Sequence, residues 1–569
     1  MHTAFDARRL NGAPVGRQGT GGLTPHGSHC RNRTPWITLS QTRRCEAAAY
    51  ILHNPLDPSQ PGTRMEEVPD GRRTIAATAT SITAFIGRAR RGPTDRSRLV
   101  QCFAQFDRVY GGLWFESPMS YAVQHYFLNG GQNALIARVH HGAAAATLTL
   151  PGAFELVAAN EGDWGNYLRV RVEYAASEPG EAQDSRFSLS VKDTRTGLVE
   201  RFVNLSTDVT HKRYVTGVLA DESDLVRNAT PETVAAATPV ANGAAPAGSD
   251  ALEDGASSWA FDTNGDDGSL ILDDDISDAS LAEGRRGLWM LEHGDLFNLL
   301  CIPPLSRDRD VGITTWDAAV AYAKLRRAMV IVDPPADWND PADVNNGLAE
   351  LVTRDENAAL YFPRVLAADP LSDERLATFA PCGFVAGIYA RTDAQHGVWK
   401  APAGKESTLL GVAEPAVHIT DGQNALLNAL AVNSLRSSHD NRCVIWGART
   451  LRGFDSQSEW KYVPVRRTAL FIEESLYRAM QWVVFEPNDE ALWAQVRLDA
   501  TAFMQDLFSQ GAFHGLSARE AYFVKCDHET TTANDIDLGI FNVDVGFAPL
   551  KPAEFVIIRI QQLAGATAP

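Results

Sequence analysis

Several stretches of this 569-residue chain gather side chains that could do chemistry. Asp262-Thr263-Asn264-Gly265-Asp266-Asp267-Gly268 opens like a calcium loop, with oxygen ligands at alternate positions. Its sixth position holds Asp267 where the turn needs glycine, and Asp273 stands where a bidentate Glu belongs, so a solvated acidic loop is the simpler reading. Asp273-Asp274-Asp275 likewise reads as a solvated turn. His140-His141 and Cys526-Asp527-His528 could each supply metal ligands, but neither has a second cluster at metal spacing, which favours structural roles. Glu473-Glu474 could be paired carboxylates for acid–base work. Adjacent helical residues point about a third of a turn apart, so a solvated face or a salt bridge to a nearby Arg fits better.

No nucleophile elbow, Walker loop, dinucleotide fingerprint or H-E-x-x-H occurs in the sequence. The cysteines at 30, 45, 102, 301, 382, 443 and 526 are scattered and form no CxxC, as expected of small apolar residues in a reducing compartment. A net charge of −18 argues against a nucleic-acid binder. No apolar run reaches the length of a membrane span. The first 45 residues carry seven arginines against one acid, Asp6, and lack the apolar core of a secretory signal. They read as a disordered basic extension.

The chain is too long for one core, and its 44% hydrophobic content can fill several. Residues 61–140 read as α/β, with a strand at Thr80–Gly87, a helix at Ser117–Phe127 and a strand at Leu135–Val139. Strand patterns at Ala146–Leu150, Tyr167–Tyr174 and Phe187–Val191 mark a β-rich insert. Residues 236–280 turn to Ala, Gly and Asp, the composition of a mobile linker or long surface loop. Strands at Leu296–Ile302, Met329–Val332 and Ala358–Phe362 alternate with helices such as Trp316–Arg327, which implies a parallel sheet covered on both faces.

Two long helices follow. The first spans Arg466–Val484, with a stripe through Ala469, Ile472, Leu476, Met480 and Val483. Asn488 is placed as the cap of the second, whose stripe runs Leu492, Val496, Phe503 and Leu507 to a stop at Gly511. Strands near 521–526 and 540–547 lead to a last run, Phe555-Val556-Ile557-Ile558-Arg559-Ile560. That run is apolar on both faces and needs a sheet edge, in this chain or in another.

From Arg466 onward the text resembles the C-terminal domain of contractile tail sheath proteins. The resemblance is carried by Phe471–Ser475, Gln481–Asp489, Leu492-Trp493, Thr530–Thr532, Asn534–Asp537 and Ala548–Phe555. Upstream, Pro61-Gly62, Glu66–Pro69, Phe85–Arg88, Gly287–Trp289, Asp295–Pro303 and Gly397–Pro402 match in collinear order, so the resemblance spans roughly 61–562. Thr63-Arg64 departs from the family's usual Val-Tyr, and residues 1–60 have no counterpart.

This resemblance implies an α/β and α+β multidomain chain. A basic extension (1–60) would precede an N-terminal arm and α/β segment (61–140), a β-rich inserted domain (141–235) and an acidic linker (236–280). A subtilisin-like parallel α/β middle domain (281–445), an α+β C-terminal domain (446–552) and a strand arm (553–569) would follow. It further implies a non-enzymatic subunit with no catalytic residue, cofactor or metal, which polymerises with six-fold helical symmetry around an inner tube and contracts. Glu66, Glu67, Val68 and Phe555–Ile560 would form the inter-subunit strand arms, and Glu490, Arg497 and Asp499 an exposed, tube-facing helix surface. Other sheath subunits, the tube, a baseplate and a terminal cap would be its partners, with no nucleic acid and no membrane insertion. Assembly would be cytoplasmic, in a phage tail or phage-tail-like particle that can be released. The alternatives are an α/β hydrolase-like enzyme, or a surface-binding module built on the insert.

Overall fold

The computed structural model describes residues 74–554, apart from 153, 175–185, 231–238, 245–246, 248–249, 256 and 439. Contacts divide the chain into Met1–Asp70 and Gly71–Pro569, and every described residue lies in the second unit. The basic extension 1–60, the arm residues Glu66, Glu67 and Val68, and the terminal run Phe555–Ile560 lie outside the described residues.

The first elements are β1 (Thr83–Gly87), β2 (Arg98–Val100), α1 (Phe103–Tyr110), α2 (Pro118–Leu128) and β3 (Ala134–Arg138). Every residue of β1 and β3 is buried, as strands apolar on both faces require. The insert follows as β4 (Thr147–Leu150), β5 (Phe154–Ala158), β6 (Leu168–Tyr174), β7 (Phe187–Asp193), β8 (Val199–Leu205), α3 (Val215–Glu222), β9 (Val226–Asn228) and β10 (Trp259–Ala260). It forms two antiparallel sheets, β10-β6-β7-β8 and β4-β5-β9, around one core that includes Phe154, Trp164, Val170 and Leu189. The described part of 236–280, a mobile linker or long surface loop by composition, is tied to this insert. β10 pairs with β6, Asn242 bonds the Val172 backbone, and Lys192 holds both Asp250 and Glu253. Single polar side chains make these ties, and composition averages over them.

After the one-turn α4 (Asp274–Ser277) come β11 (Leu299–Cys301), α5 (Ile313–Leu325), β12 (Met329–Val332), α6 (Pro341–Leu351), β13 (Ala358–Phe362), β14 (Val365–Asp369) and β15 (Arg375–Phe379). Then follow α7 (Cys382–His396), β16 (Val412–Pro415), α8 (Asp421–Ala429), β17 (Val432–Ser437) and β18 (Cys443–Trp446). These strands join β1–β3 in one eight-stranded sheet of order β18-β17-β13-β12-β11-β1-β3-β2. Residues 61–140 and 281–445 therefore contribute to a single sheet, because β1 needs a partner on each edge and finds β3 on one and β11 on the other. The inner strands pair in parallel, and the edge strands β2 and β18 pair antiparallel. One core beneath the sheet holds α1, α2 and α7, and the other holds α5, α6 and α8.

The helical pair is α9 (Val463–Ala479) and α10 (Glu490–Ser509), followed by the hairpin of β19 (Tyr522–Lys525) and β20 (Asp544–Phe547). The first helix stops short of Val484. A tighter turn at Gln481–Val483 lets Met480, Trp482 and Val483 reach a second cluster around Trp493, which a straight helix could not serve. The cap of α10 is Asp489, whose side chain accepts from the Leu492 N–H; Asn488 instead accepts from the Trp493 indole.

The closest helix contact is α2 on α7. A Cβ at Gly383 would lie 2.2 Å from the Ala122 carbonyl oxygen, and one at Gly387 would lie 2.5 Å from Asn129 Cβ. Backbone cannot yield there as a flexible side chain can, so Gly383→Ala is expected to lower stability by about 1–3 kcal/mol. Denaturant unfolding of the purified chain measures this, and an unchanged midpoint would contradict the packing described.

Candidate functional site

The C-terminal unit is built on apolar contacts between α9 and α10. Phe471, Ile472 and Leu476 of α9 meet Ala500, Phe503, Met504 and Leu507 of α10. On this pair lies the β19–β20 hairpin, with register Tyr522↔Phe547 and Val524↔Val545. Those four residues face the helices, and Phe513 packs between the Tyr522 and Phe547 rings. Phe523 and Lys525 point away, with the Phe523 ring lying over Gly546. No described strand pairs with the outer edge of either β19 or β20. A two-stranded sheet of this size is marginal on its own, and its unpaired N–H and C=O groups are a template for further strands.

The chain leaves β20 through a bridge at Pro549 to Phe513 and reaches Glu554. There the Glu554 carboxylate takes a two-pronged bond from Arg449, at 2.7 Å (Nε) and 2.6 Å (Nη2), and accepts from Tyr462 Oη at 3.2 Å. Burial alone would push the Glu554 pKa up, but the Arg449 bonds and charge outweigh it and hold it below its ordinary value. Glu554 is thus held firmly beside Arg449 and Tyr462. No short-range sequence pattern marks this pairing.

Ion pairs bind this unit to the large sheet. Arg467 on α9 is buried and grips Asp393 of α7 at 2.8 and 2.6 Å, donates to the Thr80 carbonyl, and lies over the Tyr389 ring. Glu474, expected as a solvated or salt-bridged carboxylate, is buried and pairs with Arg327 (3.0 Å) and Arg478 (2.6 Å), and Arg478 reaches Asp295. Glu473 stays exposed beside Arg466.

The other candidate residues serve the fold. Asn264 bonds Thr147, and Asp267 accepts from the Asp163 N–H, so the calcium-like stretch stitches the insert together. Asp273 is a correction to the solvated-turn reading: it accepts from Gly312 N and Thr315 Oγ1 and so ties this turn to the start of α5. His141 pairs with Asp275, and His140 accepts from the Ala143 N–H. Burial pushes the Cys526 thiol up to about 11. Among the described residues no group of three or more His, Cys, Asp or Glu is arranged to hold a metal.

The helix face proposed for the tube is only partly as expected. Glu490 is exposed, and half-buried Arg497 approaches it at 3.5 Å while donating to the Cys526 carbonyl. Asp499 is 5% exposed and accepts from Gln495, so it does not belong to an exposed surface. Its spacing shows why: 492, 496, 499 and 503 follow the i, i+4, i+7 rhythm of the inward stripe. A feature that pattern reasoning misses is Phe485, fully exposed at φ 73° between α9 and α10. Positive φ on a bulky residue stores strain, and Val484 beside it is exposed as well.

The site therefore combines a two-stranded sheet whose outer edges have no described partner, a Glu554 held by Arg449, and an exposed Phe485. Residues 455–562 match the phage tail sheath C-terminal domain family. A putative prophage major tail sheath protein of Pseudomonas aeruginosa (strain UCBPP-PA14) is 29% identical over 301 residues, half of this chain and 71% of that protein. The tail sheath protein of Enterobacteria phage T4 is 23% identical over 176 residues, 31% of this chain and 26% of that one. A sheath complex of an extracellular contractile injection system in the contracted state has a TM-score of 0.53 at 20% identity, covering 89% of this chain and 98% of that chain. A sheath tail protein of Listeria innocua has a TM-score of 0.56 at 13% identity, covering 84% and 96%. The chain is thus similar to contractile tail sheath proteins, and its residues 455–562 match the C-terminal domain of that family.

Glu554→Gln is expected to cost about 1–3 kcal/mol, because Arg449 keeps its place with a weaker partner. The depressed Glu554 pKa adds a pH signature. The stabilisation is present above the unfolded Glu value near 4.3 and fades as pH falls through the lower folded value. Melting curves between pH 7 and pH 3 should converge for wild type and Glu554→Gln; curves that stay parallel would contradict the assignment.

Proposed function

We propose that this chain is the sheath subunit that polymerises around an inner tube and contracts to drive that tube through a target envelope. The observation that carries the reading is the two-stranded β19–β20 sheet, whose outer edges have no described partner. In the proposed assembly, Phe555–Ile560 of one subunit adds to the hairpin of a neighbour, and the arm at Glu66, Glu67 and Val68 adds to another. Such head-to-tail contacts propagate instead of closing. Six-fold rings would stack along the tube, between a baseplate and a terminal cap. The extended form would be metastable, and contraction would release energy stored on assembly, with arms as hinges and domains as rigid bodies.

The same reading divides the chain into a basic extension, an N-terminal arm and α/β segment, an outward β-rich insert with its acidic segment, a subtilisin-like middle domain, a C-terminal domain and a C-terminal arm. Assembly in the cytoplasm into a tail-like particle fits it. No helix among the described residues is long and apolar enough to cross a membrane. The tube would meet the outward face of α10 at Glu490 and Arg497.

Deleting residues 553–569 should leave soluble subunits where the full chain forms tubes, as read by negative-stain electron microscopy. Normal tubes from the truncated chain would overturn the reading. The double reversal Glu490→Lys with Arg497→Glu should lower co-sedimentation with tube protein at least tenfold while sheath polymers still form; undiminished co-sedimentation would remove α10 from the tube interface.

A further inference from the structure

The eight-stranded sheet changes winding direction in its middle. From β1 the chain proceeds to β3 on one side, and from β11 it proceeds through β12 and β13 on the other. The connecting helices separate accordingly, with α1 and α2 in one core and α5 and α6 in the other. In open parallel sheets of this kind, the crevice outside the carboxyl ends of the strands at the reversal is where ligands bind.

A cavity of about 220 Å³ lies there. Pro303, Pro304 and Arg307 follow β11, Arg364 follows β13, and the first turns of α2 close one wall with Tyr121 and His125. Its volume equals roughly seven waters, enough for a single-ring molecule and too small for a nucleotide. The Tyr121 and Phe379 rings and the prolines make it apolar in body.

Its polar groups are mainly donors. The Arg307 guanidinium sits 4.0 Å over the Phe115 ring and 5.0 Å over Tyr121, bonds the Phe115 carbonyl through Nε and pairs with buried Asp369 through Nη2. Arg364 is buried, donates Nε to the Pro334 carbonyl and pairs with Asp310 through Nη2. In both, Nη1 makes no hydrogen bond among the described residues. His125 is 6% exposed, stacks on Phe384 at 3.8 Å, and leaves Nδ1 without a partner. A buried unpartnered nitrogen costs stability unless something pairs with it.

We propose that this cavity is a binding site for a small free carboxylate with a flat apolar body. The body lies against the wall formed by the touching Tyr121 and Phe379 rings, and the acceptor-only head takes the open donors of Arg307 and Arg364. The charge-assisted bonds select a carboxylate over its amide, and the aromatic walls select a ring over an extended chain.

Titration calorimetry of the full chain with benzoate and benzamide tests this. Benzoate should bind saturably, and benzamide at least tenfold more weakly. Thr378 lies exposed on β15 where it lines the cavity. Thr378→Trp should weaken benzoate at least tenfold with the melting curve kept, and Arg307→Gln serves as a second variant should the first melt early. No saturable binding of benzoate, equal binding of benzamide, or binding unaltered in the folded variants would overturn the site. Benzoate bound by dispersed subunits but excluded from assembled tubes would show that a neighbouring subunit fills the cavity, and would overturn a free ligand.

Discussion

Backbone pairing is the constraint on which this molecule turns. The large sheet satisfies it internally: its inner strands are flanked on both edges, and β2 and β18 close it antiparallel. The β19–β20 hairpin packs one face on the helices beneath it and has no described strand on either outer edge. A hairpin in that state gains by accepting strands, and a chain end rich in β-branched residues gains by supplying one. In the proposed assembly these two deficits complement each other. No chemistry at the residue level is needed beyond the peptide hydrogen bond.

Ion pairs give the assembly something rigid to move. Arg467–Asp393, Arg327–Glu474–Arg478 and Arg449–Glu554 each join the C-terminal unit to the large sheet. Arg467 and Asp393 are both nearly fully buried, at 3% and 4% exposed. A buried pair adds little net stability, yet losing one partner is costly, so such pairs hold a single relative placement. Arg449 fixes Glu554 in the same way through its two-pronged bond.

Legibility in the sequence followed the range of each interaction. β12 and β13 were evident to the residue, because Met329–Val332 and Ala358–Phe362 are continuous β-prone apolar runs. The stripe of α10 is evident for the same reason, and its i, i+7 spacing from Leu492 also places Asp499 inward. The union of β1–β3 with β11–β18 was not evident, since a strand's pattern states that it is buried and not which strand buries it. Arg449–Glu554 and Arg467–Asp393 join residues 105 and 74 apart, and nothing local distinguishes those charges from solvated ones. Asp273, in a run of three acids, was hidden by its own neighbours. The collinear motifs carried the family because they sample many such long-range requirements at once.

The central claim is that the hairpin of one subunit is completed by the chain end of another. Cryo-electron microscopy of tubes formed by the full chain tests it directly. The account predicts that Phe555–Ile560 crosses to a neighbouring subunit and hydrogen-bonds along an outer edge of its β19–β20 sheet. Density showing the same run folded back onto its own hairpin, with no strand shared between subunits, would contradict it.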